Sequence, residues 1–222
     1  MKLVKRAGLI AVMVLSLAVS AQSQGMGGRR GPQAPQMFGA FKPVVGMGAQ
    51  YQATTKDRPI EFTYVIVGKE DVEGSTGYWM EIRTSGAQMP GEMVMKHLIV
   101  TGGDKPQIKR MIMQAPGRPP MEMPAGMMAM QQRGGASQPR DTDPGVMVGS
   151  ETITVPAGTF DCVHYRKQTP GGPVDVWISA QVSPYGTVKM TSSEMTMVLE
   201  KVLSNESSHI KGEPQKFQMP NF

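Results

Sequence analysis

The sequence has little of what most enzymes and nucleic-acid-binding proteins are built from. It contains one cysteine, Cys162, three histidines and two tryptophans, and aromatic residues make up only 6% of it. A single cysteine closes no internal disulfide and offers no thiolate cluster to a structural zinc ion. So few aromatics exclude a base-stacking surface. The formal net charge is +5, but Lys2, Lys5 and Arg6 stand at the start of the chain. Without them it falls to about +2, spread over side chains that form no basic run. No nucleic-acid partner is expected. Long hydrophobic runs are missing too: after residues 9–19 no segment is apolar enough to span a membrane as a helix. The glycines include no phosphate-cradling loop, because Gly102-Gly103 is followed by no helical pattern.

The start of the chain reads as an address. Lys2, Lys5 and Arg6 precede the apolar stretch 9–19, and Val19-Ser20-Ala21 offers small residues to a signal peptidase. Residues 1–21 are therefore expected to be a signal peptide cut before Gln22, giving a periplasmic or secreted product. No cysteine follows the apolar stretch, so a lipid anchor of the bacterial lipoprotein type is not expected. Residues 22–43, rich in Gly, Gln, Pro and Arg, read as a disordered linker that buries too little to offset chain entropy. The folded domain is expected over 44–204. A Met-, Pro- and Gly-rich insertion at 115–145 reads as flexible, with one helical turn at 127–132. Residues 205–222 read as a flexible tail.

Within the domain, alternation at period two dominates. In the stretch 149–190, strands are expected at 152–155, 159–167, 174–179 and 187–190. Pro156-Ala157-Gly158, Pro170-Gly171-Gly172-Pro173 and Pro184-Tyr185-Gly186 separate them, with proline fixing φ and glycine admitting positive φ. The front half gives strands at 45–54, 60–68, 78–84, 92–101 and 107–114, with Arg58-Pro59 as an interruption. Ile60, Phe62, Tyr64 and Ile66 share one face. Tyr78, Met80 and Ile82 oppose Trp79, Glu81 and Arg83 across a hairpin with its tip at Gly74-Ser75. A last strand at 194–203 sets Met195, Met197 and Leu199 on one face. Sequential strands with hairpin-sized turns define an all-β fold: one antiparallel, strongly curved meander sheet or half-open barrel.

Little of this pattern supports catalysis. Cys162 and His164 lie on one side of one strand, Asp161 and Asp175 are expected on opposite faces, and no Gly-x-Ser-x-Gly turn is present. Cys162 beside Phe160 reads as core. His97, His164 and His209 fall on separate elements without zinc-ligand spacing. The 21 methionines are the compositional anomaly, crowding between Met89 and Met130. Three readings stand open: adaptable packing, a contact surface for an apolar ligand or protein, and a thioether site for Cu(I) using Met121, Met123, Met127, Met128 and Met130.

The segments VGMGAQYQ, IVGKEDVEG, GYWMEIR, ETITVPAGTFDCVHYR and VDVWIS resemble a group of uncharacterised secreted bacterial β-rich proteins with a VPAGTF turn. They are more distantly similar to half-barrel periplasmic lipoprotein-carrier-like proteins, whose half-barrel is plugged by helices. The resemblance spans 44–114 and 149–203 and implies a half-closed barrel; it supplies no catalytic residue. The expected function is non-enzymatic binding after export, without a cofactor. A concave apolar face must be covered, since large bare patches are rare on soluble monomers. The expected occupant is an apolar small molecule, a lipid or a hydrophobic segment of an envelope protein. Phe62, Tyr64, Met93, Met95, His97, His164 and Trp177 are expected to contact it, with His164 at the rim beside inward-facing Phe160 and Cys162.

Overall fold

The computed structural model describes residues 34–55, 58–87, 89–101, 106–124 and 142–216. The expected signal peptide, residues 22–33 of the expected linker, Gly102-Gly103, the helical turn at 127–132 and residues 217–222 of the expected tail lie outside these residues. Strands β1 (Gly48–Thr55), β2 (Arg58–Val72), β3 (Ser75–Gly86), β4 (Met93–Val100) and β5 (Gln107–Gln114) form an antiparallel meander, extended by the short β6 (Met121–Glu122). A second meander contains β7 (Val146–Val155), β8 (Gly158–Thr169), β9 (Gly172–Ile178), β10 (Thr187–Thr191) and β11 (Thr196–Leu203). The two join where β1 pairs with β11, and β12 (Gln215–Lys216) adds a parallel pairing to β6. The resulting order is β12-β6-β5-β4-β3-β2-β1-β11-β10-β9-β8-β7 in a single sheet. It is all-β and unclosed, as the alternation implied, and no helix occurs among the described residues.

Local chemistry explains the register. At the β2–β3 tip, Glu73 and Gly74 have φ of 52° and 79°, both positive, which matches the twist of the flanking strands. The Gly74 N–H donates to Asp71 Oδ1 at 3.1 Å. Arg58 and Pro59 do not interrupt the strands: they pair with Thr55 and Thr54 at the start of β2, where proline is tolerated.

Alternation then sorts the side chains. Tyr51, Phe62, Tyr64, Ile66, Met80, Ile82, Val176, Val188, Met197 and Leu199 belong to one buried inner cluster drawn from both meanders. Trp79, Leu98 and Ile112 make a smaller cluster on the outer face. Tyr51 spans the seam between the meanders, its hydroxyl donating to the Thr187 carbonyl at 2.8 Å.

The described parts of both terminal segments, residues 34–43 and 205–216, pack on the sheet where disorder was expected. Residues 34–43 lie on the inner face, with Met37 and Phe38 only 6% and 4% exposed. The Tyr64 hydroxyl donates to the Pro35 carbonyl and Thr187 Oγ1 to that of Phe38. Gly39 N–H donates to the Thr142 carbonyl and Lys42 N–H to that of Pro184. Phe41 meets Tyr78 of β3 edge-on and also Tyr185, while Lys167 of β8 lies over the Phe38 ring. In a flat sheet β3 and β8 would stand about 29 Å apart; one short segment reaches both because the sheet curls around it. Gly39, at φ 112°, leaves no room for a Cβ against the Tyr185 carbonyl.

The expected tail crosses the outer face instead. Arg83 donates to Glu81 Oε1, to Glu206 Oε2 and to the Ser207 carbonyl, each at 2.9 Å. Glu81 also accepts from Ser208 Oγ at 2.6 Å and from the His209 N–H at 2.9 Å. Ile210 packs on the Trp79 cluster. The described part of the 115–145 insertion is structured as well: Met121 and Glu122 pair with β5, and Lys167 Nζ donates to the Asp143 carbonyl at 2.7 Å.

Candidate binding site on the inner face

The inner face of β3, β4 and β5 is a grid of thioethers. Met80 stands opposite His97, and His97 opposite Met111. One pair along, Ile82 faces Met95, Met95 faces Met113, and Met113 faces Met121. Residues directly opposite share a face of the sheet, so Met80, His97 and Met111 form one row across three strands. All three are buried, whereas Met93, Met95, Ile108 and Met113 are half-buried and Met121 is 39% exposed. Among the described residues, His97 Nε2 has no hydrogen-bond partner. Burial pushes the His97 pKa down to about 4, so the imidazole is neutral at pH 7.

Of the residues expected to touch a ligand, Met93, Met95 and His97 lie together on this face. Phe62 and Tyr64 share it but are closed off, each 2% exposed, beneath residues 34–43. They are core under the chain's own cover, not an open contact surface.

His164 and Trp177 stand at the margin of the inner cluster, against which the half-buried Trp177 packs. His164 pairs with Trp177, and Trp177 with Lys189, whereas Tyr165 pairs with the core residue Val176. Their rings stack at 4.4 Å and 10°. His164 Nε2 lies 2.7 Å from Asp175 Oδ1, which accepts from Arg166 Nε at 2.9 Å. Trp177 Nε1 donates to Glu151 Oε1 at 2.6 Å. Burial alone would raise the Asp175 pKa, but hydrogen bonds from Arg166 and His164 outweigh it and hold the carboxyl below its usual value. Phe160 and Cys162 do point inward, 6% and 3% exposed. β9 pairing starts only at Val163, so Phe160 and Cys162 lie in the part of the β7–β8 hairpin that β9 does not reach. The hairpin tip folds back, Ala157 N–H donating to the Leu199 carbonyl at 3.3 Å. Burial first, and the charges of Asp161 and Glu151 next, push the Cys162 thiol up to about 11, the opposite of what a nucleophile needs.

The outer face holds functional-looking groups that alternation did not single out. Trp79 Nε1 donates to Glu70 Oε2 at 2.9 Å, and its ring lies 4.9 Å from Lys96 Nζ and 5.1 Å from the Arg110 guanidinium. Arg110 Nε donates to Glu122 Oε1 at 2.6 Å, and this bond is the main reason its pKa rises. Desolvation lowers that of Lys96 against the pull of Glu81 and Glu70. The Glu81-Arg83 repeat beside Trp79 was the available signal, since a charged pair at i and i+2 shares a face. Nothing in its spacing names residues 206–209 as partners.

Among the described residues, no group of three or more His, Cys, Asp or Glu side chains is placed to hold a metal ion. No helix there is long and apolar enough to cross a membrane. No family model matches the sequence, and no curated protein does. Among solved structures, the chain is similar to a candidate lipoprotein from Parabacteroides distasonis, at 12% identity and a TM-score of 0.35, covering 76% of this chain and 100% of that one. It is also similar to a candidate exported protein with a YmcC-like fold from Bacteroides fragilis, at 15% identity and a TM-score of 0.34, covering 75% and 99%.

Proposed function

We propose that the chain is an exported, non-enzymatic binding protein of the cell envelope that holds an apolar group over the β4–β6 end of its inner face. The observation that supports this is the uneven cover of that face. Residues 34–43 close over Tyr64, Tyr78 and Thr187, while Met93, Met95, Ile108, Met113 and Met121 stay partly exposed. Thioether side chains adapt to irregular apolar shapes, which suits an acyl chain or a hydrophobic segment of an envelope partner. Export rests on the charged and apolar start of the chain with its small-residue cut site. The non-enzymatic reading rests on the buried thiol of Cys162 and on the His164 cluster, whose members satisfy one another.

Methyl-labelled methionine NMR with added palmitate tests the site. Resonances of Met93, Met95, Met113 and Met121 should shift while those of Met37 and Met197 stay in place, and Met95→Glu should abolish the shifts. Palmitate that moves no methyl, or only methyls elsewhere, would contradict the assignment.

A further inference from the structure

His97 is not explained by packing. Its Nε2 is buried without a partner among the described residues, and native folds seldom leave such an atom unsatisfied unless a water or an ion completes it. Hard ligands do not converge on it among the described residues. Sulfur-bearing residues flank it: Met80 on β3 and Met111 on β5 pair directly with His97, one on each side. Opposed side chains on one face start about 5 Å apart, within the reach of two unbranched thioether chains leaning toward an imidazole between them. Met95, two residues from His97 on β4, faces the same way.

We infer that His97, Met80 and Met111 form a binding site for a soft monovalent cation, Cu(I) or Ag(I), with Met95 as an available fourth ligand. Thioether and imidazole donors suit Cu(I), whereas Mg(II), Ca(II) and Mn(II) favour carboxylate and carbonyl oxygens, and among the described residues no group of three or more His, Cys, Asp or Glu side chains is placed to hold a metal. A single positive charge costs less to bury than a divalent one. The three ligands ride on adjacent hydrogen-bonded strands, so the site needs no loop to close it and its donors are held in place beforehand. The assignment differs from a copper site in the Met-rich segment. Met121 lies one pairing further out, opposite Met113, and Met127, Met128 and Met130 are not needed. It goes beyond the apolar-ligand reading and does not depend on it.

The test uses the exported chain from Gln22 onward, kept anaerobic, with Cu(I) presented as its bicinchoninate complex. One equivalent should be withdrawn from the chelator. His97→Leu, and separately the near-isosteric pair Met80→Leu with Met111→Leu, should each weaken binding at least about tenfold. Replacing Met127, Met128 and Met130 together by leucine should leave it unchanged. In the unmodified protein, Ag(I) should shift the methyl resonances of Met80 and Met111, a readout that needs no variant to fold. No withdrawal of Cu(I), or binding that survives Met80→Leu with Met111→Leu and is lost in the loop variant, would overturn the site. Palmitate shifts are read without metal, so either proposal can fail alone.

Discussion

His97 makes stability depend on acid. Its folded pKa is about 4 against 6.5 for an ordinary imidazole. Between those values the unfolded chain binds a proton that the folded chain refuses, so stability is complete above pH 6.5 and declines as pH falls toward 4. The residues facing it across the strands, Met80 and Met111, do not titrate. The loss in the metal-free protein should reach at most about 3 kcal/mol. Asp175, whose pKa is lowered from 3.8, gives up its contribution only in stronger acid. Urea melts at pH 7 and pH 4.5 should therefore differ, and His97→Leu should remove most of that difference; an equal slope in the variant would place the effect elsewhere. Cys162 offers a second check. Thiol reagents should label it slowly in the native protein and rapidly after denaturation, and Cys162→Ala should cost about 1–2 kcal/mol as a partial cavity. Alternation sufficed to turn Phe160 and Cys162 inward. It does not by itself place His164, whose stacking partner Trp177 packs at the margin of the inner cluster.

The strands themselves were legible as elements; the two segments that cover them were not. Residues 34–43 and 204–216 have compositions that bury little on their own, and what orders them is the sheet. One supplies Phe38 and Phe41 to an apolar face, and the other supplies hydrogen bonds to a buried ion pair. No local pattern encodes either docking. Gly39→Ala should unseat the N-terminal segment, because a Cβ there overlaps the Tyr185 carbonyl. Phe38→Ala should cost about 3–5 kcal/mol, measured by chemical denaturation; a cost below 1 kcal/mol would mean that the segment is not seated. On the outer face, ending the chain after Leu203 removes Ser208 and the His209 N–H from Glu81, which is 0% exposed, and uncovers Trp79. Glu81 keeps its ion pair with Arg83 but loses two hydrogen bonds to a charged group, each worth about 1.5–3 kcal/mol. Truncation there should lower the melting temperature sharply; an unchanged melting temperature would mean that residues 204–216 are not seated on the outer face.

At the scale of the molecule, hairpin-sized turns gave the order of strands within each meander, since those pairings are local. The β1–β11 seam joins the two ends of the domain and has no sequence signal of its own. It does explain the long connection between β6 and β7, which stand toward opposite ends of the strand order. Among the described residues, the cover of residues 34–43 stops short of the methionine grid of β4–β6, which stays partly exposed, and the proposed function rests on that. The most direct measurement is native mass spectrometry of the protein purified from its own envelope. The spectrum should show the chain beginning at Gln22 together with a bound species of lipid mass, and Met95→Glu with Met113→Glu should release it. A bare polypeptide in both preparations would contradict the account.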